Sequence, residues 1–285
     1  NVSIYQNSSI KMKLDANSRI SLSNNDSGGT GGEDSTSGNT ILGYLSGAAI
    51  ASGGLNNTTI GHKAGNAIST ADNNVFIGAL AGSTHLTGGR NTAIGSQAMF
   101  NTDEDSDSNS SISNVFIGAQ AGGGTWAGET SNHNIGIGDL ALGGALAGGD
   151  GTVAIGSSAL KALTSGARNM AIGYTAGGLI TDGTDNTLIG YQSGNQGTYG
   201  IVGGDYNTGV GAYSMGASAG AAITGSSNTA IGYNAMLEAQ GAVADNTAVG
   251  SGALQNITTA TKNIAIGTLA LSTNTGGGDN IAIGY

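Results

Sequence analysis

Cysteine and proline are both absent from the 285-residue chain, and charged and aromatic side chains are scarce. Without cysteine the chain has neither a disulfide framework nor a thiol nucleophile. Without proline every residue keeps its backbone N–H donor, which suits strands that pair on both sides. No run of about 18 apolar residues occurs, so the sequence predicts no insertion into a membrane.

The composition excludes an ordinary globular core. Charged residues make up 9% and aromatic residues 5% of the chain, while 54 residues are glycine. Such a chain has too few bulky side chains for a thick core, and too few charges for a disordered polyelectrolyte. The formal net charge of −10 argues against nucleic acid as a partner.

A short repeated phrase, typified by NTAIG, organises nearly the whole chain. Its last residue is glycine, the residue before that glycine is Ile, Val or Leu, and the first residue is Asn in every copy except Thr152. Ala or Ser follows three residues after each glycine wherever the chain continues that far. The fourteen copies end at Gly43, Gly61, Gly78, Gly95, Gly118, Gly138, Gly156, Gly173, Gly190, Gly211, Gly232, Gly250, Gly267 and Gly284.

Each copy of the phrase reads as a short β-strand. Alternation places the second and fourth positions on one face and the third and fifth positions on the other. The second and fourth positions are β-branched or aliphatic in nearly every copy, so we expect that face, with Ile94, Ile172 and Ile266, to form the core. The opposite face is mostly Ala and Gly, which would admit the close approach of another backbone.

Stacking of these units predicts an all-β fold, a parallel β-solenoid or β-roll of about fourteen rungs and roughly 65 Å. The asparagines are expected to align at one corner and to hydrogen-bond to one another and to turn backbone. Two alternatives are short helices beginning in segments such as SQAMF, which the glycines disfavour, and a strand-plus-turn unit like that of leucine-rich repeats.

The sequence divides into two regions. Residues 1–38 lack the phrase, and their alternation predicts an N-terminal β stem followed by a flexible linker. Residues 39–285 form the predicted solenoid. Its long and short connectors recur in the same order every five units, so the longer connectors are expected to project as loops on one edge.

The phrase N-T-A-I-G-x-x-A-[GLM], repeated with glycine-bearing connectors from Asn39 to Tyr285, resembles the repeats of phage tail fibres and tail spikes. It is also similar to the head repeats of trimeric autotransporter adhesins, whose units are shorter. The first resemblance implies a virion tail fibre segment that assembles with other virion tail proteins. The second implies a bacterial surface adhesin head that binds host or matrix glycans. Both imply a homotrimer.

The residues bear on how such a homotrimer would pack. The Ala and Gly face of the strands would let three backbones approach a shared axis closely. Three larger side chains lie on the same face and argue against an axis that is tightly packed along its whole length; they are Phe76, Phe116 and Leu188.

Candidate catalytic and metal-binding residues are few. His62, His85 and His133 lie far apart without ligand spacing, so we interpret them as loop or surface residues and expect no cofactor. The run Asp103, Glu104, Asp105 and Asp107 could supply oxygen ligands to calcium, but a solvated acidic loop is the favoured interpretation.

Three aromatic residues in the longer connectors are the candidate receptor contacts. Trp126, Tyr199 and Tyr206 could stack on the sugar rings of a host surface glycan, because exposed loop aromatics often bind ligands. Packing of each loop on itself, or against a neighbouring subunit, is the favoured alternative.

The sequence therefore predicts a structural protein rather than an enzyme. A fibre segment that supports host attachment is the first interpretation, and an adhesin head is the alternative. An ice-binding solenoid is disfavoured, because Thr92, Thr187 and Thr229 are expected to face inward and valines and isoleucines interrupt their row.

Overall fold

The computed structural model describes residues 38–285 except 51–53, 103–109, 127–128, 197–198 and 217–219, and the backbone of three earlier strands. These three, β1 (Val2–Gln6), β2 (Ser9–Leu14) and β3 (Ile20–Ser21), form an antiparallel sheet in the order β1-β2-β3. The predicted linker, residues 24–38, lies outside the described residues except for Gly38.

The repeats form one parallel sheet of fourteen three-residue strands, and each strand pairs in register with the next copy of the phrase. A separate two-stranded antiparallel sheet, β13 with β14, lies in one long connector. The strands are β4 (Thr40–Leu42), β5 (Thr58–Ile60), β6 (Val75–Ile77), β7 (Thr92–Ile94), β8 (Val115–Ile117), β9 (Ile135–Ile137), β10 (Val153–Ile155), β11 (Met170–Ile172), β12 (Thr187–Ile189), β13 (Asn195–Gln196), β14 (Tyr199–Gly200), β15 (Thr208–Val210), β16 (Thr229–Ile231), β17 (Thr247–Val249), β18 (Ile264–Ile266) and β19 (Ile281–Ile283). The parallel β-solenoid is confirmed.

The alternative with short helices is wrong for the described part of the chain, which contains no helix. The segment SQAMF is a turn in which Gln97 and Met99 have φ values of 58° and 49°. Alternating left-handed residues cannot continue a right-handed helix. The backbone N–H groups of these residues instead donate to Ala79 O at 2.9 Å and Ala121 O at 3.0 Å in neighbouring rungs.

The predicted assignment of the two strand faces is inverted. Between the two end strands the third-position residues, including Ala93 and Ala154, are buried, whereas Ile155 and Ile231 at the fourth position keep more than a third of their surface exposed. The physical reason is that each rung folds back over the small side chains, so the Ala and Gly face closes the interior. The isoleucines form a regular row, but the row lies on the surface.

Further inward-facing residues, not recognised from the sequence, fill the interior. Two inward positions recur in each rung, the third residue of the phrase and the Ala or Ser three residues after its glycine. In most rungs a third, bulky side chain is buried as well, seven or eight residues after the glycine. In the rungs with short connectors these residues are Ile50, Ile68, His85, Leu146, Leu163, Ile180 and Ile257. This column supplies the apolar volume that the small strand residues lack.

Side-chain size is compensated within each rung. Where the third position is large, as in Phe76, Phe116 and Leu188, the fourth residue after the phrase glycine is Gly82, Gly122 or Gly194. A Cβ at Gly82 would lie 2.7 Å from the Phe76 ring. Where the third position is Ala or Gly, the same place carries a Leu or Met in every rung that continues that far except the rung of Gly177. Leu271 is partly buried, and the fully buried residues are Met99, Leu142, Leu160, Met215, Met236 and Leu254. The interior therefore keeps a nearly constant volume per rung.

The asparagines form a hydrogen-bonded ladder at one corner, as predicted. Asn228 Nδ2 donates to Asn207 Oδ1 at 3.1 Å and to the backbone O of Val243 at 2.8 Å. Asn228 Oδ1 accepts from the backbone N and the Nδ2 of Asn246 at 3.2 and 3.1 Å. These bonds join consecutive rungs through buried polar groups, which makes the ladder sensitive to loss of a single member.

Thr152 interrupts this ladder. Its side-chain hydroxyl accepts one long bond, 3.4 Å from Asn169 N to Thr152 Oγ1. Replacing Thr152 with asparagine is expected to raise the free energy of unfolding by about 1 to 2 kcal/mol, because two buried amide–amide bonds are gained. Urea unfolding followed by circular dichroism measures the change. Thr152→Val, which removes the hydroxyl acceptor, is expected to lower stability instead, and an unchanged or less stable asparagine variant would contradict the prediction.

Candidate functional site

An uncharged, largely apolar face runs along the whole parallel sheet. We call the second- and fourth-position side chains of strands β4–β19 in the parallel sheet the outward face. Every fourth-position residue is Ile, Val or Leu, and every second-position residue is Thr, Val, Ile or Met. At a strand spacing of about 4.8 Å the face is about 60 Å long. Contiguous apolar surface of more than a few hundred Å² is typical of an interaction site.

The threonines of the second position belong to this face. Thr92, Thr187 and Thr229 are half-buried and flank an inward residue, so the expectation that they face inward is wrong. Their row is still interrupted by Val75, Val115 and other aliphatic residues.

A second surface feature is a run of tyrosines beside the outward face. We call Tyr174, Tyr191, Tyr213 and Tyr233 the tyrosine row; they lie on the consecutive rungs of β11, β12, β15 and β16. Successive ring centroids are 5.5, 5.4 and 6.2 Å apart, and the first pair is stacked at 14°. Desolvation, aided by Tyr191, raises the pKa of Tyr213. The rings therefore form one contiguous aromatic surface.

Trp126, the first predicted receptor contact, lies in the interior with none of its side chain exposed. Its ring meets Phe116 edge to face at a centroid distance of 5.7 Å. This is the self-packing alternative of the sequence analysis, and it places Trp126 away from any surface ligand. Its Nε1 has no hydrogen-bond partner among the described residues.

The other two predicted contacts lie elsewhere on the rod. Tyr206 is exposed at the corner before β15, with a φ of 57°, and four strands of the sheet separate it from Trp126. The backbone of Tyr199 is in strand β14, and its side chain lies outside the described residues. The structure does not bring Trp126 and Tyr206 into one site.

An ion pair lies on the surface at the same corner as Tyr206. Arg168 Nε and Nη2 donate to the two carboxylate oxygens of Asp185 at 2.7 and 2.8 Å. This hydrogen bonding lowers the pKa of Asp185 and raises the pKa of Arg168. An ion pair in contact with solvent adds little stability, so we assign this pair only a supporting role in holding its two neighbouring rungs in register.

The interpretation of all three histidines as loop or surface residues is wrong for His85. His85 is fully buried in the inward column, packs edge-on against Phe76 and donates from Nε2 to Gly88 O at 2.8 Å. Its Nδ1 lies 3.2 Å from Thr102 Oγ1. His62 stacks on Tyr44, and His133 is exposed.

Burial of His85 predicts acid sensitivity. Desolvation lowers the pKa of His85 from its ordinary value near 6.5 to about 4. The unfolded chain therefore binds more protons between these values, so stability is complete above pH 6.5 and falls as the pH drops to 4. The expected loss is about 3 kcal/mol. Urea unfolding at several pH values, with the NMR titration of the imidazole, measures it.

The inward column offers a matched variant for this test. His85→Ile introduces the residue found at Ile68 in the preceding rung and should abolish the His85 part of the pH dependence. His133→Gln, at an exposed position, should leave it unchanged. An imidazole that titrates near pH 6.5 in the folded chain would contradict the prediction.

Among the described residues, no three His, Asp or Glu side chains lie close enough together to hold a metal ion. The acidic run from Asp103 to Asp107, weighed as a calcium loop, lies outside those residues. In the part of the chain that the structure describes, no helix is long and apolar enough to cross a membrane.

The outward face and the tyrosine row were both missed from the sequence. The outward face was recognised as a row but assigned to the interior. The tyrosine row had a signal, since Tyr174, Tyr191 and Tyr233 each directly follow the phrase glycine. Comparison of the chain with protein-family models, curated proteins and solved structures finds no match.

Proposed function

We propose that the chain is a structural fibre segment, a homotrimeric β-solenoid rod of a phage tail fibre or tail spike. The rod would assemble with other virion tail proteins and hold a host-attachment part away from the particle. The single observation that carries the proposal is the uninterrupted outward face, which has no charged residue over fourteen rungs.

The size of the outward face supports burial against other copies of the chain. A face about 60 Å long and about 10 Å wide offers ~600 Å² per chain, close to the area that each partner contributes to a stable interface. Burial of that much apolar surface corresponds to ~15 kcal/mol before association costs are subtracted. The half-exposed Ile155 and Ile231 would complete their burial there.

The number of chains in the proposal comes from the resemblance to fibre and adhesin repeats. The structure changes which residues would line the shared axis. The Ala and Gly face is closed inside each coil, so Ile and Val side chains would meet at the axis in place of bare backbone. This also removes the objection raised by Phe76 and Phe116, because both rings lie inside their own coil.

The alternative is the head of a bacterial trimeric surface adhesin, in which the same rod would bind host or matrix glycans directly. The two proposals share the rod and differ in what adjoins it. A C-terminal membrane anchor in the full gene would favour the adhesin.

Native mass spectrometry of the purified chain tests the trimer directly, and the expected mass is that of three chains. Ile155→Lys with Ile172→Lys places two charges on adjacent rungs of the outward face and should yield monomers that keep the β-type circular dichroism spectrum. Thr164→Lys with Ser165→Lys adds the same charge to an exposed turn and should leave the trimer intact. A monomeric original chain at micromolar concentration would overturn the proposal.

A further inference from the structure

The tyrosine row is not required by the fold. Tyr174, Tyr191 and Tyr233 occupy the position directly after the phrase glycine, which also carries Tyr44, His62 and Tyr285 but is Ala, Ser, Asp or Thr in the other eight rungs. Those rungs form the same turn with the smaller residue. The interior is filled by other columns, so the tyrosine rings add nothing to it.

The rings are nevertheless held in a defined arrangement. Tyr174, Tyr191 and Tyr233 are 50%, 46% and 56% exposed. Tyr174 and Tyr191 are stacked, and Tyr213 meets both Tyr191 and Tyr233 edge to face. A contiguous aromatic surface on four adjacent rungs, which the core does not need, indicates a binding surface.

The surroundings of the row are polar but uncharged. The position after the row tyrosine carries Gln192 and Asn234 in two of the four rungs, and their side chains supply amide groups. Small residues, Ser157 and Ser251, take the tyrosine position in the rungs before and after the row. The row therefore ends in open space on both sides along the rod axis.

The chemistry of the row selects its ligand. Aromatic rings stack on flat groups with an apolar face, which in biological polymers are sugar rings and nucleic acid bases. The net charge of −10 opposes an anionic backbone. A neutral sugar ring combines an apolar face with hydroxyls that can pair with the phenol groups of the row and the amide groups beside it.

We propose that the tyrosine row binds a neutral, extended glycan that lies along the rod axis. The rung spacing of about 4.8 Å is comparable with the length of one sugar unit in an extended chain, so four rungs would contact about four units. The site lies within a single chain. It adds direct contact with a surface polymer to the proposed structural role and does not depend on the number of subunits.

Isothermal titration calorimetry of the full chain with defined probes tests the proposal. The probes are cellohexaose, maltohexaose and β-1,4-mannohexaose as neutral glycans, with a hyaluronan hexasaccharide and a thymidine hexanucleotide as anionic ones. At least one neutral hexasaccharide is expected to bind, and both anionic probes should bind at least tenfold more weakly.

A matched pair of variants assigns the binding to the row. Tyr174→Ser with Tyr191→Ser and Tyr233→Ser should weaken the bound glycan at least tenfold. Tyr44→Ser with Tyr206→Ser and Tyr285→Ser removes three exposed tyrosines outside the row and should change the affinity less than twofold. Binding of none of the neutral probes, equal binding by the row variant, or tighter binding of an anionic probe would overturn the proposal.

The native mass of the same samples separates this inference from the proposed function. A trimer that binds no neutral glycan would leave the fibre proposal standing and overturn the glycan site. A monomer that binds the glycan through the row would support the glycan site and overturn the fibre proposal. The row variant must keep the mass of the original chain, so that lost binding is not a consequence of lost assembly.

Discussion

Exchanging the large and small core positions of one rung, by Ala93→Phe together with Met99→Gly, is expected to leave the free energy of unfolding within about 1 kcal/mol of its original value. Each change alone should be costly. Ala93→Phe adds a ring to a filled interior and is expected to lose about 3 kcal/mol. Met99→Gly removes a buried side chain and is expected to lose about 3 to 4 kcal/mol.

The expected rescue follows from the compensation seen along the interior. The rungs before and after this one already combine a phenylalanine with a glycine, as Phe76 with Gly82 and Phe116 with Gly122. A Cβ at Gly122 would lie 2.7 Å from the Phe116 ring, which shows that the ring occupies the space that Met99 fills in its own rung. The two substitutions are therefore expected to couple by about 4 kcal/mol or more, since they share one cavity.

Chemical unfolding of the four chains in a double-mutant cycle measures this coupling. A non-partner combination, Ala93→Phe with Met236→Gly, provides the control, because Met236 lies in a distant rung and pairs with Ala230. The losses in free energy of unfolding caused by its two substitutions should add. Additive losses in the Ala93 and Met99 pair would show that the interior does not conserve volume rung by rung.

Replacing Gly190 with alanine is expected to lower the free energy of unfolding by about 4 kcal/mol or more. The φ of Gly190 is 134°, which side chains rarely adopt, and an added Cβ would lie 2.5 Å from the carbonyl oxygen of Gly211. That atom belongs to the backbone of the next rung and cannot rotate away. The strain and the collision both act at the junction between two rungs.

Two other glycines separate the strain from the collision. Gly284 has nearly the same φ, 131°, but nothing lies within 4 Å of an added Cβ. Gly151 lies in the middle of the rod with a φ of 66°, and its nearest neighbour would be Arg168 Cγ at 3.8 Å. Alanine at either position is expected to cost about 1 kcal/mol. Thermal unfolding followed by circular dichroism compares the three variants, and a loss at Gly190 no larger than at Gly151 would contradict the argument.

The architecture could be predicted from the sequence because the signal recurs in every copy. The phrase of which Asn91 to Gly95 is one copy occurs fourteen times in all, and short apolar units of this kind are stable only when stacked. The parallel register and the asparagine ladder follow from that stacking. The absence of proline and the spacing of the phrase both pointed to the same arrangement.

The direction of the strand faces could not be predicted from alternation, which separates two faces but does not say which one is inside. Aliphatic character assigned Ile94 to the core, but the choice depends on which face the rest of the rung covers. Two further patterns would have decided it. One is the bulky residue about seven positions after the glycine, such as Ile68, and the other is the size compensation between Phe76 and Gly82.

The wrong choice of the inner strand face also led to the wrong candidate site residues. With the isoleucines placed inside, the candidate receptor contacts were loop aromatics such as Trp126, which the structure buries. A histidine without ligand spacing was interpreted as a surface residue, although His85 lies in the inward column seven residues after Gly78. Single aromatic or polar residues carry no directional signal until the register of the rung is known.

The hydrogen bonds between rungs run along the length of the rod, as in the bond from Gly190 N to Ile172 O at 2.8 Å. A stretching force applied to the two ends would load these junctions in series, so every junction would bear the same tension. The junction that gives way at the lowest force would then set the mechanical strength of the whole rod, however strong the other junctions are.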